Sequence, residues 1–337
     1  MRLRSLVAAL VALVALAALA CNGDGPGPTA TPSAVEEAVA APSPAAEAFS
    51  FDCAAPAEAV RPDVSGFPAE VTDSVGNTVT LEAPPERIAS LSAGHTEILY
   101  AIGAGDQMAV VDNASDCPQA VNDLPKVDAF SPSVEAIAGL EPDLVIIFFD
   151  PGDLQSSLQD LGVPVLNLSA PESVQGVYQQ MVLLGMATGH VDEAEEVAAR
   201  MEEAVGDIRS QLQDVTDGPS VFHEVDNTYF SAGPGSFVGD LYSILRAENI
   251  AEATGGAYPQ MSAEAIIEAD PEVIVLADEF AGESPDTVRA RPGWNSISAV
   301  QNDRIYVIDP DIVSRPGPRL VEALRTLVAY LYPERFP

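Results

Sequence analysis

The stretch Val191–Val215, with the sequence VDEAEEVAARMEEAVGDIRSQLQDV, decides how the rest of the chain can fold. Its apolar residues recur every three or four positions, which is the pattern of an amphipathic helix. Acidic residues fill its first turns, where the helix dipole favours negative charge. Gly189 before it and Gly218-Pro219 after it supply the stops. The spacing predicts one helix over about 191–215, roughly 35 Å long, about the width of a small domain.

On both sides of this helix, short apolar stretches alternate with helical patterns. Such alternation predicts an α/β architecture with mostly parallel sheets covered by helices on both faces. We therefore expect two lobes held apart by one stiff helix, with a cleft between them. The predicted N-terminal lobe covers 66–170, connecting helices cover 171–216, and the C-terminal lobe covers 217–337. A strand over Tyr229–Ala232 is among the elements expected in the C-terminal lobe.

An internal repeat supports two equivalent lobes. Residues 133–147 read SVEAIAGLEPDLVII and residues 262–276 read SAEAIIEADPEVIVL, without a gap. Each copy predicts a helix, an acidic-Pro turn that ends it and an apolar strand. Glu135 and Glu264 occupy the same position in the first turn. A favourable helix dipole, worth about 0.3–1 kcal/mol, explains an acid there. The helix dipole does not explain why both lobes should present a glutamate outward.

The composition limits the partners that the protein can have. The 337 residues include 15 basic and 51 acidic residues, for a formal charge of −36. So acidic a surface disfavours nucleic acid and anionic lipid as partners. It is compatible with high solubility, with a cationic partner or with a salty habitat, and composition alone does not separate these. The hydrophobic share of 47% allows a large core, and the length suggests about two domains.

The N-terminus has the pattern of an exported protein. Residues 1–20 combine a basic start with an apolar run that is short for a membrane span, which predicts a signal peptide. The run ends in Ala18-Leu-Ala-Cys21, which resembles a bacterial lipobox, although the usual Leu three places before the Cys is Ala18. We expect a lipid on Cys21 to anchor the protein to the outer face of the cell membrane. An ordinary secretory signal and an uncleaved anchor are the alternatives.

Residues 21–65, rich in Ala, Pro, Gly, Thr and Ser, predict a flexible tether. Cys53 in this segment and Cys117 remain once the signal peptide is removed. Outside the cytoplasm two such thiols can form a disulfide. The alternative is two unpaired cysteines, one of them in the tether.

Four motifs together resemble those of the class III substrate-binding proteins of ABC importers, which carry vitamin B12, haem and iron siderophores. The motifs are Pro85–Ser92 with Thr96-Glu97, Glu141–Ile146, Tyr258–Glu264 and Arg315–Arg319. The resemblance covers the chain from about residue 70 to its end. It implies two Rossmann-like lobes joined by one long helix, with small hinge closure. It also implies that Glu135 and Glu264 dock onto arginines of a permease, which works with an ATPase.

Within this family the sequence is most similar to the vitamin B12 binders, whose cleft has aromatic walls and an Asp-x-x-x-Arg pair. Asp311 and Arg315 match that pair. Tyr258, Phe148 and Phe130 fall at, or within one residue of, aromatic wall positions. The similarity implies a corrinoid ligand, with a ferric siderophore or haem as the alternative. Flat aromatic walls with a few polar groups suit a large, mostly apolar ring with amide arms.

The sequence departs from that pattern at two wall positions. Ala114 and Cys117 stand where aromatic residues are expected. Phe149 and Tyr229 are candidates to compensate for them.

Other chemistries find less support in the sequence. The histidines His95, His190 and His223 lie far apart, without the spacing of a zinc site. His190 is expected in a surface turn, whereas His95 opens a helix beside the predicted cleft and is a candidate ligand contact. Trp294 is expected to pack in the core. We find no nucleophile elbow and no identifiable catalytic pair. We therefore expect a monomeric binding protein without enzymatic activity or cofactor, and an extracellular enzyme or metal chaperone on this scaffold is the competing hypothesis.

Overall fold

The computed structural model describes residues 49–55 and 58–336. The predicted signal peptide, Cys21 and the tether up to residue 48 lie outside the described residues. Within the described part of the chain, no helix combines the length and the apolar character that a membrane span requires.

The N-terminal lobe alternates strands and helices, as predicted. Its strands are β1 (Ala69–Thr72), β2 (Thr78–Leu81), β3 (Ile88–Leu91), β4 (Met108–Asp112), β5 (Lys126–Val127), β6 (Leu144–Ile147) and β7 (Val165–Asn167). Its helices are α1 (Ala93–Ala101), α2 (Val134–Ala138) and α3 (Leu154–Asp160). β1 and β2 form an antiparallel hairpin. The other strands form one parallel sheet in the order β5-β4-β3-β6-β7.

Strand β6 shows why this sheet is covered on both faces. All four of its residues are buried. Leu144 and Ile146 pack into the large core shared with α1 and the connecting helices. Val145 and Ile147 pack into a second core with residues of α2 and α3. Successive side chains of a strand point to opposite faces, so an unbroken apolar run requires a hydrophobic layer on each side.

Two helices join the lobes: α4 (Val174–Thr188) and α5 (Val191–Gln211). The predicted long helix is confirmed as α5, although it ends at Gln211, and Leu212 and Val215 stay buried beyond its end. α4 packs along α5, and a methyl group added at Gly185 would lie 2.7 Å from the side chain of Ala194. The connection is therefore a pair of closely packed helices.

The C-terminal lobe repeats the α/β arrangement. Its strands are β8 (Ser220–Glu224), β9 (Glu248–Asn249), β10 (Val273–Leu276) and β11 (Ile305–Val307). Its helices are α6 (Phe237–Ile244), α7 (Ala263–Ala269), α8 (Pro285–Arg289), α9 (Ser298–Gln301), α10 (Pro310–Val313) and α11 (Leu320–Leu331). The strands form a parallel sheet in the order β11-β10-β8-β9. Trp294 is fully buried in this lobe, as expected.

The strand predicted over Tyr229–Ala232 is wrong. The segment makes only an isolated bridge between Phe230 and Gln260. Tyr229 has a φ of 68°, in the left-handed region, which strand geometry does not tolerate. The local apolar pattern could not reveal this backbone conformation.

The internal repeat is confirmed at the level of single residues. Ser133 and Ser262 cap α2 and α7 by accepting a hydrogen bond from the backbone three residues later. After each helix, the residue immediately before the proline has a left-handed φ: 52° at Glu141 and 46° at Asp270. Both lobes therefore present the same helix–turn–strand unit.

The predicted tether ends earlier than residue 65. Residues 49–55 and 58–65, the N-terminal strap, pack on the rest of the chain. Phe49 is buried, and Cys53 forms a disulfide with Cys117, with a Cα–Cα distance of 5.0 Å. Arg325 of α11 donates to the carbonyl of Phe49 at 2.6 Å. The composition of the segment predicted a tether because composition averages over all of its residues. The few side chains that anchor the segment to the rest of the chain hardly change that average.

The expectation that His190 lies in a surface turn is also wrong. His190 is fully buried between α4 and α5. Its Nε2 donates to the carbonyl of Val60 in the strap at 3.1 Å. The strap covers the turn that the sequence suggested would be exposed.

Candidate ligand-binding site

The carboxyl ends of the N-terminal lobe's strands open into a cavity. Ser92 follows β3, Asp112 ends β4 and Phe148 follows β6, and all three line it. Ser314 and Arg315, from the segment between α10 and α11, close another side. Ligands of open α/β sheets bind in the crevice at the carboxyl edge. The cavity therefore lies where this architecture predicts a site.

Three phenylalanines form one aromatic patch at this cavity. The ring of Phe130 lies 6.0 Å from that of Phe148 and 5.6 Å from that of Phe149. The centroids of Phe148 and Phe149 are 4.5 Å apart. Phe130 is 71% exposed although it is large and apolar. Exposed aromatic clusters of this kind are characteristic of binding surfaces.

His95 lines the same cavity from the first turn of α1. Ser92 caps this helix, which places His95 immediately behind the carboxyl end of β3. Its Nε2 lies 3.1 Å from Oε1 of Gln180. Burial lowers the pKa of His95 to about 4, against the weaker opposing effect of Gln180. The imidazole is therefore neutral at physiological pH.

Arg315 stands at the centre of an ionic cluster. Its guanidinium contacts Asp311 at 2.6 Å and Asp116 at 2.6 Å, and lies 3.4 Å from the buried Glu97. Arg319 holds the same Glu97 through two hydrogen bonds, of 3.0 and 2.6 Å. Burial raises the pKa of Glu97, and the two arginines oppose that rise. The cluster joins α1 of the N-terminal lobe to the segment that enters α11.

The lobes also touch directly at this point. A methyl group added at Gly94, at the start of α1, would lie 2.9 Å from the carbonyl oxygen of Pro316. The absence of a side chain at this position lets the two backbones approach closely.

A second ionic cluster lies at the carboxyl edge of the C-terminal sheet. Arg291 binds Glu224, the last residue of β8, at 2.6 and 2.5 Å, and Glu283 at 2.7 Å. Its guanidinium carbon lies 4.6 Å from the ring centre of Trp294. Asp278, just after β10, is buried beside this group, and neither of its carboxylate oxygens has a partner within the described residues.

The structure gathers some of the predicted site residues and separates others. His95, Phe130, Phe148 and Arg315 line the cavity described above, and Asp311 reaches it through its ion pair with Arg315. Tyr229 lies instead in the C-terminal lobe, where the guanidinium carbon of Arg291 is 5.3 Å from its ring centre. Tyr258 is 56% exposed in the neighbouring loop.

Glu135 and Glu264 occupy equivalent, exposed positions in the first turns of α2 and α7. In each helix, Ile137 or Ile266 faces the core two residues later. The two carboxylates therefore face solvent from matching positions on the two lobes.

The described residues show no group of three or more His, Cys, Asp or Glu arranged to hold a metal ion. The polar clusters around the cavity instead pair carboxylates with arginines.

Comparison with known proteins places this architecture in a family. The sequence profile described as Periplasmic binding protein matches residues 88–312. The chain belongs to the periplasmic binding protein family. It is 32% identical to an uncharacterized ABC transporter substrate-binding lipoprotein of Bacillus subtilis, over 80% of this chain and 87% of the relative.

Two solved structures show the same fold at similar identity. The periplasmic vitamin B12-binding protein of Vibrio cholerae matches with a TM-score of 0.64 and 26% identity, over 74% of this chain and 97% of that one. The periplasmic heme-binding protein of Roseiflexus sp. RS-1 matches with a TM-score of 0.68 and 26% identity, over 74% of this chain and 99% of that one. Both confirm the predicted class of two α/β lobes for this periplasmic binding protein.

Sequence reasoning missed several residues around the site of this periplasmic binding protein. Glu97 and Arg319 lie 222 positions apart, so no local spacing connects them. Glu224 and Arg291 are separated by 67 positions. Glu97 and Arg319 stand in motifs that carry the family resemblance, and Arg291 stands in the Pro-rich segment Arg291-Pro-Gly, but none of these features indicates an ion-pair partner.

Proposed function

We propose that this protein is the substrate-binding component of an ABC importer and that it captures a corrinoid in the cavity between its lobes. The observation that carries the proposal is the joint position of the phenylalanine patch and the Arg315–Asp311 pair at one cavity. A corrin ring would lie on the aromatic patch, because flat apolar surfaces stack well on phenyl rings. Its amide arms would meet the polar side chains at the cavity's edge.

Two relatives support different ligands for this cavity. The vitamin B12-binding protein of Vibrio cholerae favours the corrinoid. The heme-binding protein of Roseiflexus favours haem at the same level of identity. Haem also offers a flat macrocycle to the aromatic patch, and it is therefore the second candidate, with ferric siderophores as a third.

We assign Glu135 and Glu264 to docking on the permease. They present one exposed carboxylate on each lobe, at equivalent positions of a repeated helix. A partner with two suitably spaced cations would engage both at once, and complementary charge of this kind governs recognition and association rate.

Charge reversal tests this assignment. Glu135→Arg with Glu264→Arg should abolish ligand-stimulated uptake in proteoliposomes containing the cognate permease and ATPase, while ligand affinity in calorimetry stays unchanged. The matched control is Glu202→Arg with Glu203→Arg, which makes the same charge change at exposed positions of α5. Normal uptake with the docking variant would refute the assignment, and equal losses with both variants would indicate a nonspecific charge effect.

We further propose that Cys21 carries the lipid that holds the protein at the membrane's outer face. The Bacillus subtilis relative is named a lipoprotein, which supports the lipobox interpretation. Mass spectrometry of the mature N-terminal peptide should show a diacylglyceryl mass on Cys21, and Cys21→Ala should release the protein into the medium. An unmodified N-terminus elsewhere would refute the anchor without affecting the cavity.

A further inference from the structure

Arg315, which lines the cavity, and Lys126 of β5 already donate hydrogen bonds to groups of the protein itself. The guanidinium of Arg315 meets the carboxylates of Glu97, Asp116 and Asp311 and donates to the carbonyl of Ala114 at 3.0 Å. The ammonium of Lys126 donates to the carbonyl of Ser115 at 2.6 Å. A ligand acceptor that approached either cation would compete with short contacts that already exist.

His95, in contrast, leaves an acceptor free. The amide nitrogen of Gln180 donates to the carbonyl of Ser169 at 2.6 Å, which turns its Oε1 towards His95. The Nε2 of His95 must therefore carry the hydrogen, and Nδ1 carries the lone pair. This Nδ1 is buried and has no partner within the described residues. A residue that lines the cavity thus keeps an acceptor whose hydrogen bond is not satisfied by the described residues.

Carboxylates also outnumber cations at the cavity. Asp112 lines it, and Glu97, Asp116 and Asp311 surround Arg315. Against these four acids stand three cations: Arg315, Arg319 and Lys126. The polar part of this wall therefore carries a net negative charge.

At the carboxyl edge of the C-terminal sheet, carboxylates likewise outnumber cations. Arg291 is shared by Glu224 and Glu283, and Asp278 adds a third, buried acid beside them. Even when Asp278 holds a proton, the remaining two acids exceed the single arginine. The charge of −36 on the whole chain adds a field that repels anions.

We infer that the cleft selects a large ligand that presents hydrogen-bond donors and carries no net negative charge. The inference rests on the proposed function and narrows its ligand class. It favours a neutral or cationic corrinoid with amide arms, or a neutral or cationic hydroxamate complex. It disfavours macrocycles with free carboxylates and iron complexes of catecholates.

A matched pair of probes tests the inference. Cyanocobalamin and its monocarboxylic acid derivative differ by one side-chain amide converted to a carboxylate. In calorimetry with the purified protein at pH 7.5, the acid should bind at least about tenfold more weakly, and added salt should reduce the difference by screening. Haem, with two propionates, should bind more weakly than cyanocobalamin.

A charge-neutralising variant links the selectivity to the cluster. Asp116→Asn removes one negative charge and releases one contact of Arg315. It should therefore reduce the difference in affinity between cyanocobalamin and its monocarboxylic acid derivative. Glu203→Gln removes one charge from an exposed position of α5 and should leave this difference in affinity unchanged.

Tighter binding of haem or of the monocarboxylic acid than of cyanocobalamin would overturn the inference while leaving a substrate-binding role intact. Equal effects of Asp116→Asn and Glu203→Gln would also overturn it, because the selectivity would then reflect total charge alone. Absence of binding by cyanocobalamin, a ferric hydroxamate and haem alike would overturn both the inference and the proposed ligand class.

Discussion

At Arg315, a single guanidinium connects a buried carboxylate, Glu97, with an exposed one, Asp116. The side chain of Glu97 is 1% exposed and that of Asp116 is 57% exposed. A buried charge that loses its partner is left without hydration, whereas an exposed charge that loses its partner is hydrated by solvent. The two ion pairs of Arg315 should therefore differ greatly in their contribution to stability.

Substitution of each partner measures that difference. Glu97→Gln should lower the free energy of unfolding by about 3–5 kcal/mol, because Arg319 and Arg315 lose their shared buried anion. Asp116→Asn should cost less than about 1 kcal/mol. Urea denaturation followed by circular dichroism provides both values. Similar losses for the two variants would contradict the buried role of Glu97.

Asp278 should make stability depend on pH. Burial, and then the charges of Glu224 and Glu283, raise the pKa of Asp278 to about 7 from an ordinary value of 3.8. Between about pH 4 and pH 7 the folded state thus binds more protons than the unfolded state, so stability falls as pH rises through this window. Above about pH 7 this loss is complete.

Asp278→Asn removes the group responsible. The variant should be more stable than the wild type at pH 8, by on the order of 2 kcal/mol, and the difference should shrink towards pH 4.5. Urea denaturation across this range provides the measurement. Parallel stability curves for the two proteins would show that folding does not raise the pKa of Asp278.

The sequence predicted a set of residues at the cleft, but not their partners. His95, Phe130, Phe148 and Arg315 reach one cavity because each lies just beyond a strand or in the Pro-rich segment before α11. Their roles in ligand binding remain proposals. Partners such as Arg319 could not be assigned, because ion pairs across hundreds of residues leave no periodic pattern.

At the level of elements, hydrophobic periodicity predicted the helices and strands whose apolar residues form a clear local pattern. The helix α5 and the buried strands β6 and β10 follow from 3.6-residue spacing and from unbroken apolar runs. The two-residue strands β5 and β9 were missed because they are too short to carry any pattern. The N-terminal strap was missed because tertiary contacts, and not propensity, hold it in place.

Two glycines in the connecting helices provide a matched test of packing. A methyl group at Gly206 of α5 meets no atom of the described residues within 4 Å, whereas at Gly185 of α4 it meets Ala194 and His190 at 2.7 and 2.8 Å. Gly206→Ala should therefore stabilise the protein by about 0.5–1 kcal/mol through helix propensity. Gly185→Ala should destabilise it by about 1–3 kcal/mol by forcing the helices apart. Thermal denaturation compares them, and a stabilising Gly185→Ala would contradict the close packing.

The strap should stabilise the fold through its disulfide. Cys53 and Cys117 close a loop with a sequence separation of 64. Cys53→Ser with Cys117→Ser should lower the free energy of unfolding by about 2–4 kcal/mol, because the unfolded chain regains conformational freedom. Denaturation with and without reductant measures it, and the double variant should be insensitive to the reductant. An unchanged wild-type stability after complete reduction would contradict this role.

At the level of the whole molecule, several contacts restrict movement between the lobes. The helices α4 and α5 pack along each other, the Glu97 cluster joins α1 to α11, and the strap connects Cys117 to α11 through Phe49. Such a frame suits a protein that holds a bulky ligand with little closure and presents two fixed docking positions. The symmetry of Glu135 and Glu264 depends on this frame, since a flexible connection would change their separation.

The most direct test of the account is a calorimetric titration of the purified protein with cyanocobalamin. We predict one binding site per chain with a Kd of about 1 µM or below, and at least about tenfold weaker binding by Arg315→Ala. Absence of binding heat at several temperatures with cyanocobalamin up to about 100 µM, or binding that Arg315→Ala and Phe148→Ala leave unchanged, would contradict the proposal that this cavity captures a corrinoid.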